Sequence, residues 1–273
     1  MKWLCGGGLG WLLAVLLAGC NLSATQPTAT PDRELVVFAA ASLADAFERM
    51  GAAFAVGEPG VRVTWSVAGS QQLAQQLNSG APADVFASAN PLQMQAVVDG
   101  GRIDAGGVQL FANNRLVVVL PADNPAGLDS LQDLALPGLK LVLADAAVPA
   151  GQYSLDFLAK ASASPEYTAV YSPTVLANVV SYEDNVRVVL AKVQLGEADA
   201  GIVYASDVVG AVRDSVRLLA IPDPWNVVAS YPIALVGDSM QPDLAARFVA
   251  FVLGPEGQAI LADAGLLPVR LAE

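Results

Sequence analysis

From Glu34 onward, short apolar runs alternate with longer segments in which apolar residues recur every three or four positions. The first run, Leu35–Ala39, is continuous, which is typical of a strand buried on both faces of a sheet. The apolar residues that follow share one face of a helix: Leu43, Phe47, Met50 and Phe54. The pattern therefore predicts a buried strand followed by an amphipathic helix.

The same alternation continues through the rest of the chain. Further apolar runs predict strands at Val61–Val67, Ala83–Ala87, Leu116–Leu120, Leu139–Leu143, Ala200–Tyr204, Val216–Ile221 and Pro232–Val236. After Gln241 the pattern predicts helix, with a break at Gly254-Pro255. Strands separated by helices indicate an α/β fold with mostly parallel sheets. Such folds bind ligands where strands end and the following helices begin.

The N-terminal segment has the layout of a secretory signal, with Lys2 followed by an apolar run that is too short for a membrane span. The run ends in Leu17-Ala18-Gly19-Cys20. That ending resembles a bacterial lipoprotein signal, which implies removal of residues 1–19 and lipid on Cys20. The alternative is an ordinary signal with a chance cysteine. Residues 20–33, rich in Ser, Thr and Pro, are predicted to be a disordered tether.

Composition excludes several classes of function. The chain contains no histidine, and Cys5 and Cys20 are its two cysteines, so the predicted mature chain offers no zinc site of the usual kind. A Ser-His-Asp or Cys-His system cannot be assembled either. The formal charge of −12 disfavours nucleic acid as a partner. No disulfide is expected, so the fold depends on its apolar core.

Three junctions between a strand and a helix share one chemistry. Ser42 and Ser70 each place a hydroxyl at a predicted helix start, and Val148-Pro149-Ala150-Gly151-Gln152 opens a third helix with small, uncharged residues. Free N–H groups and the helix dipole make such starts favourable for anions. The alternative is that each serine only caps its own helix. The junctions by themselves indicate a possible anion site.

Four segments in order carry a more specific resemblance: Ala39-Ala40-Ala41-Ser42-Leu43, Gly80-Ala81-Pro82-Ala83-Asp84-Val85-Phe86, Val148-Pro149-Ala150-Gly151-Gln152-Tyr153 and Gly201-Ile202-Val203-Tyr204-Ala205-Ser206-Asp207. Together they resemble the molybdate-binding proteins that feed ABC transporters. The resemblance implies a two-lobed periplasmic-binding-protein fold of type II, with crossing strands at 116–120 and 230–236. One lobe would comprise 34–115 and 232–273, and the other 116–231.

The resemblance also implies the ligand-binding residues. The hydroxyls of Ser42, Ser70 and Tyr204 and the N–H groups of Ala150 and Val186 would hold the oxyanion, so molybdenum enters only as molybdate. The stretch Glu183-Asp184-Asn185-Val186 differs from the Glu-Asp-Val of some relatives, so the register there can slip by one residue. Some relatives use carboxylates in an expanded geometry, but we interpret Glu183 and Asp184 as a charge pair at a helix start. Arg187 is interpreted as an ion-pair partner of Glu183.

These observations predict an extracytoplasmic, lipid-anchored, monomeric solute-binding protein without catalytic residues or a cofactor. It would capture molybdate or tungstate between two lobes and deliver the anion to an ABC permease. One alternative is a binder of another oxyanion, such as sulfate. A second, less favoured alternative is an enzyme on the same fold.

Overall fold

The computed structural model describes residues 33–269. The predicted signal peptide 1–19, Cys20 and almost all of the predicted tether lie outside the described residues. Strands within them are β1 (Arg33–Ala40), β2 (Val61–Ala68), β3 (Val85–Ala87), β4 (Gln109–Asn114), β5 (Leu116–Pro121), β6 (Leu141–Ala144), β7 (Val179–Glu183), β8 (Ala200–Tyr204), β9 (Val216–Ala220), β10 (Ala229–Leu235) and β11 (Leu267–Pro268). Because β1 begins at Arg33, the last residue of the predicted tether is already part of the sheet.

Helices fill most of the intervals between strands. They are α1 (Ala44–Gly57), α2 (Ser70–Asn78), α3 (Pro91–Asp99), α4 (Pro149–Ser162), α5 (Tyr171–Ala177), α6 (Val186–Gln194), α7 (Ala211–Asp214), α8 (Pro242–Leu253) and α9 (Pro255–Asp263). Short 3-10 turns include Ala41–Leu43, which joins β1 to α1, and Ala205–Val208, which follows β8. Between residues 33 and 269, no single helix is long and apolar enough to cross a membrane, and only the bent pair α8 and α9 passes that test jointly.

The strands form two sheets. The first has the order β11-β4-β10-β3-β1-β2 and the second β7-β6-β8-β5-β9. The α/β class is confirmed, but both sheets are mixed rather than mostly parallel. Strand β10 is antiparallel to β3 and β4, and β5 is antiparallel to β8 and β9. The strands that run against the βαβ units are β10 in the first sheet and β5 in the second, and each is the strand by which the chain enters that sheet from the other one.

Two connections join the sheets. Strand β4 ends at Asn114 in the first sheet, and β5 begins at Leu116 in the second. The return passes through β10, which pairs with β4 from Ala229 onward. We call the first sheet with α1–α3, α8 and α9 the first lobe, and the second sheet with α4–α7 the second lobe. We place the return to the first lobe at Ala229, three residues before the predicted 232.

The apolar pattern explains the core of the first lobe. The helical face that carries Phe47 and Phe54 packs against α8, with Phe54 and Phe248 ring centroids 5.2 Å apart. Phe47 also contacts Trp65 of β2, with centroids 5.7 Å apart. Edge-to-face contacts of this kind add to the stabilisation from burial. This packing holds the carboxyl ends of β1 and β2 in place, which are the ends that carry the predicted site.

Candidate oxyanion site

A small cavity lies between the two lobes at the ends of several strands. Its walls are formed by Ala40–Ser42, Gly69–Ser70, Ala89, Val148–Ala150, Asn185–Val186 and Tyr204. The volume is about 10 Å³, counted as the space open to the centre of a water molecule, so one small group can occupy it. None of these lining residues is acidic or basic. The structure thus places all five predicted ligand-binding residues around one cavity, whose lining carries no charged side chain.

Neither Ser42 nor Ser70 uses its hydroxyl to cap a helix. The cap of α2 is Gly69, and the residue before α1 is Leu43, with no side-chain capping bond at either helix. Ser70 Oγ accepts a hydrogen bond from Ala89 N at 2.9 Å, and Ser42 Oγ lies 3.0 Å from Tyr231 Oη. The alternative that these serines only cap their helices is therefore wrong. Because Ser70 Oγ already accepts a hydrogen, its own O–H remains free to donate.

Backbone N–H groups face the same cavity from the second lobe. Val186 is the first residue of α6, and the Asn185 side chain accepts hydrogen bonds from the N–H groups of Arg187 and Val188, at 3.0 and 3.1 Å. The N–H of Val186 is thereby left without an intrahelical acceptor. Ala150 follows Pro149 at the start of α4, where the first N–H groups likewise have no partner in the helix. Both N–H groups lie at the positive end of a helix dipole.

Tyr204 supplies a hydroxyl from the end of β8. Its side chain is 1% exposed, and its Oη has no hydrogen-bond partner among the described residues. Leaving a buried hydroxyl without a partner costs about 1–3 kcal/mol. Burial raises the pKa of Tyr204 well above its ordinary value, so the hydroxyl keeps its hydrogen. Because Tyr204 lines the cavity, its hydroxyl is one more donor that an acceptor in the cavity could engage.

The buried carboxylate of Asp207 binds the backbone of Tyr204. Asp207 Oδ2 accepts a hydrogen bond from the backbone N–H of Tyr204 at 3.0 Å, and Asp207 Oδ1 lies 3.1 Å from Nε of Arg187. Arg187 also pairs with Asp45 of the first lobe at 2.8 Å. The predicted pair between Arg187 and Glu183 is therefore wrong. Glu183 instead pairs with Lys192, which points back along α6 toward the end of β7.

Neither carboxylate of the Glu183-Asp184 pair lines the cavity. Glu183 Oε1 is held by Lys192 Nζ at 2.5 Å and by Ser181. Asp184 Oδ2 accepts from Gln72 at 3.3 Å, and its backbone oxygen accepts from Gln71 at 2.8 Å. Since Gln71 and Gln72 belong to the first lobe, Asp184 contributes to closure across the cleft. The cavity itself offers donors and no carboxylate acceptor.

Burial of Asp207 makes stability depend on pH. Burial raises its pKa from 3.8 to about 6, although Arg187 opposes this shift. The native state then holds the proton more tightly than the unfolded state, so the stabilisation is complete below the unfolded pKa and is lost as pH rises through about 6. The amide of Asp207→Asn is uncharged at every pH, as the protonated acid is. The free energy of unfolding of Asp207→Asn, minus that of wild type, should therefore rise by about 3 kcal/mol between about pH 4 and pH 8.

Urea unfolding of both proteins across this pH range measures the difference. Parallel pH profiles would show that Arg187 keeps the carboxylate ionised throughout, in contradiction to the raised pKa.

Sequence reasoning missed the residues behind the serines. Tyr231 in β10 and Asn114 at the end of β4 are fully buried and join Ser42 in one hydrogen-bonded group. Ala89 was missed as well, although it holds Ser70. The one available signal was the place of these residues along the chain, with Asn114 two residues before the predicted crossing strand 116–120 and Tyr231 inside the predicted crossing strand 230–236. Nothing along the chain indicates that they meet Ser42.

The sequence of this chain is similar to those of several known proteins. A family model described as bacterial extracellular solute-binding protein matches residues 35–267. The molybdate-binding protein ModA of Mycobacterium tuberculosis (strain ATCC 25618 / H37Rv) is 40% identical over 272 residues, which cover 97% of this chain and 98% of that protein. The protein of the same name from Escherichia coli (strain K12) is 35% identical over 254 residues, with coverages of 90% and 94%.

The fold agrees with a solved structure as well. The periplasmic molybdate-binding protein of Azotobacter vinelandii superposes with a TM-score of 0.73 at 21% identity, covering 86% of this chain and 100% of that chain. At that identity the likeness shows the fold alone, and it confirms the predicted periplasmic-binding-protein architecture.

Proposed function

The chain belongs to the bacterial extracellular solute-binding protein family, and we propose that it captures molybdate or tungstate in the cavity between its lobes. The lobes then present the anion to the permease of an ABC transporter. The observation that carries this proposal is a small cavity between the lobes that is lined by hydroxyl-bearing residues and by residues at two helix starts, with no charged side chain. Relatives named molybdate-binding protein support the choice of anion.

Recognition rests on donors rather than on a positive charge. Ser42, Ser70 and Tyr204 would donate O–H groups, while Ala150 and Val186 would donate N–H groups. Each hydrogen bond to a charged group contributes about 1.5–3 kcal/mol net, so several together support tight binding of a dianion stripped of water. The helix dipoles of α4 and α6 add favourable electrostatics at the same point. No covalent step is required, and we assign no catalytic residue or cofactor.

Metal enters this proposal only inside the oxyanion. Within residues 33–269, no group of three or more Asp or Glu side chains is placed to hold a metal ion.

The contacts that cross the cleft would close around the anion. They include Asn90 to Gln152 at 3.1 Å and Arg187 to Asp45 at 2.8 Å. Because both lobes supply donors, the full set of donors exists only when the cleft is closed.

A site that offers only hydrogen-bond donors predicts which anions bind weakly. Phosphate keeps at least one proton near neutral pH, and burying that O–H against donors leaves it unsatisfied at a cost of about 1–3 kcal/mol. Molybdate and tungstate carry no proton there and should bind alike. Sulfate also carries none, so cavity size alone can weaken it. Competition calorimetry at neutral pH measures these affinities.

Three outcomes of that titration are informative. Phosphate competing as well as molybdate would mean that an acceptor such as Glu183 or Asp184 reaches the cavity. Sulfate binding more tightly than molybdate would identify the alternative oxyanion function. A protein that ignores all of these anions would overturn the proposal and leave an enzyme on this fold as the remaining alternative.

We also propose that the protein acts outside the cytoplasmic membrane as a monomer anchored by lipid on Cys20. The support is the N-terminal sequence, whose residues lie outside those the structure describes. A Cys20→Ser protein should leave the membrane fraction or remain unprocessed, because the lipid would be its attachment. Fractionation and mass measurement test this, and a mature-sized variant that stays on the membrane would contradict it.

A further inference from the structure

The hydrogen-bonded group behind Ser42 lies where the two lobes are joined. Asn114 ends β4, immediately before the chain crosses to the second sheet, and Tyr231 lies in β10, where the chain has returned. Both side chains are fully buried, and Ser42 is 5% exposed. Neither Asn114 nor Tyr231 lines the cavity. Their effect on a bound anion must therefore pass through a residue that does. Tyr231 contacts two such residues: Ser42, whose Oγ lies within hydrogen-bonding distance, and Tyr204, whose ring packs edge-on against it with centroids 5.8 Å apart.

The orientation of the Asn114 amide is determined by its neighbours. Its Oδ1 accepts a hydrogen bond from Arg115 N at 3.0 Å. Its Nδ2 donates to Ser206 Oγ at 2.7 Å and to Tyr231 Oη at 3.3 Å. Turning the amide over would place Nδ2 against the N–H of Arg115, so that two donors would face each other. Asn114 is therefore a donor toward Tyr231.

The direction of the next hydrogen bond follows from this. Tyr231 Oη already accepts a hydrogen from Asn114, and its own hydrogen needs an acceptor. Within hydrogen-bonding distance, the described residues offer it Ser42 Oγ, 3.0 Å away, because Nδ2 of Asn114 cannot accept. If Ser42 donated instead, the Tyr231 hydrogen would remain buried without a partner, which is unfavourable. Burial raises the pKa of Tyr231, so that this hydrogen is retained.

We propose that Tyr231, oriented by Asn114, is a positioning residue that holds Ser42 Oγ as an acceptor and thereby commits the Ser42 O–H to donate into the cavity. This inference rests on the proposed oxyanion function and extends it to residues at the lobe connection. Ser70 is committed in the same sense by a different group, since its Oγ accepts from Ala89 N. Both serine hydroxyls thus face an anion as donors before it arrives, and neither must give up a hydrogen bond to bind it.

A double-mutant cycle on molybdate affinity tests the relay. Tyr231→Phe, measured by calorimetry, should weaken binding about tenfold, because the Ser42 hydrogen is no longer directed. In a Ser42→Ala background the same change should weaken binding by less than about twofold, since no hydroxyl remains to be directed. A residue with only a structural role would weaken binding equally in both backgrounds. Equal effects therefore overturn the proposal.

Two controls keep the outcomes apart. Tyr171→Phe removes another buried tyrosine hydroxyl, which donates to Leu131 O away from the cavity, and it should leave affinity unchanged. If Tyr231→Phe does not fold, Asn114→Ala takes its place in the cycle, with the same cancellation by Ser42→Ala expected. A wild-type protein that binds molybdate but gives an additive cycle overturns the relay alone. A wild-type protein that binds no oxyanion overturns the proposed function together with it.

Discussion

A Tyr204→Phe protein is expected to bind molybdate about ten- to a hundredfold more weakly while its ligand-free form unfolds at the same or a higher temperature. The two effects separate because Tyr204 Oη has no hydrogen-bond partner within the described part of the chain. Removing it takes away a donor to the anion but relieves a buried, unsatisfied hydroxyl in the empty protein. Calorimetry gives the affinity, and thermal unfolding with and without molybdate gives the stability.

Tyr171→Phe is the matched control for this prediction. Its hydroxyl is also buried, but it donates to Leu131 O, so its loss should lower the unfolding temperature and leave the affinity unchanged. The two variants should therefore show opposite patterns. If Tyr204→Phe kept full affinity and lost stability, its hydroxyl would be structural and the anion would bind elsewhere.

Gly151→Ala is expected to destabilise the fold by about 3 kcal/mol and to weaken anion binding as well. A Cβ at this position would lie 2.0 Å from Asp145 O and 2.4 Å from Ala144 O, and both are backbone atoms that cannot turn away. Relief requires the start of α4 to move off the end of β6. Because Ala150 is the neighbour of Gly151 in the chain, that movement also shifts the N–H of Ala150.

The control for Gly151 is Gly57→Ala at the end of α1. A Cβ there meets nothing within 4 Å, so stability and affinity should both stay within error of wild type. Urea unfolding and calorimetry on the three proteins supply the comparison. A Gly151→Ala protein with wild-type stability would mean that α4 can shift freely, and the Ala150 N–H would then be a poor candidate for a rigid donor.

Prediction of the fold from sequence succeeded where apolar runs were continuous. Strands β1, β5 and β8 are confirmed because their residues are buried on both faces, which the sequence displays directly. Strands β4, β7 and the two-residue β11 were missed. Their exposed or polar residues interrupt the apolar run, as in the Gln-Leu-Phe-Ala-Asn-Asn of β4, and a strand that is half covered lacks a continuous signal.

For the site, sequence indicated residues that line the cavity, but the capping alternative for the two serines and the ion pair predicted for Arg187 are wrong. Ser42 and Ser70 stand where helix caps are expected, yet their hydroxyls are engaged by Tyr231 of β10 and by Ala89 after β3. Arg187 was assigned to Glu183 by its helical spacing, whereas it contacts Asp45 and Asp207. Local spacing predicts only contacts within one element, and these partners lie on others.

The sequence by itself determined the alternating elements, the absence of histidine and the uncharged junctions, because each of these is written in neighbouring residues. Only the tertiary structure decided the mixed direction of the strands, the unpartnered hydroxyl of Tyr204 and the chain of hydrogen bonds from Asn114 through Tyr231 to Ser42. Those features join residues as far apart as Ser42 and Tyr231, and the direction of each hydrogen bond depends on every neighbour at once. No pattern along the chain encodes that condition.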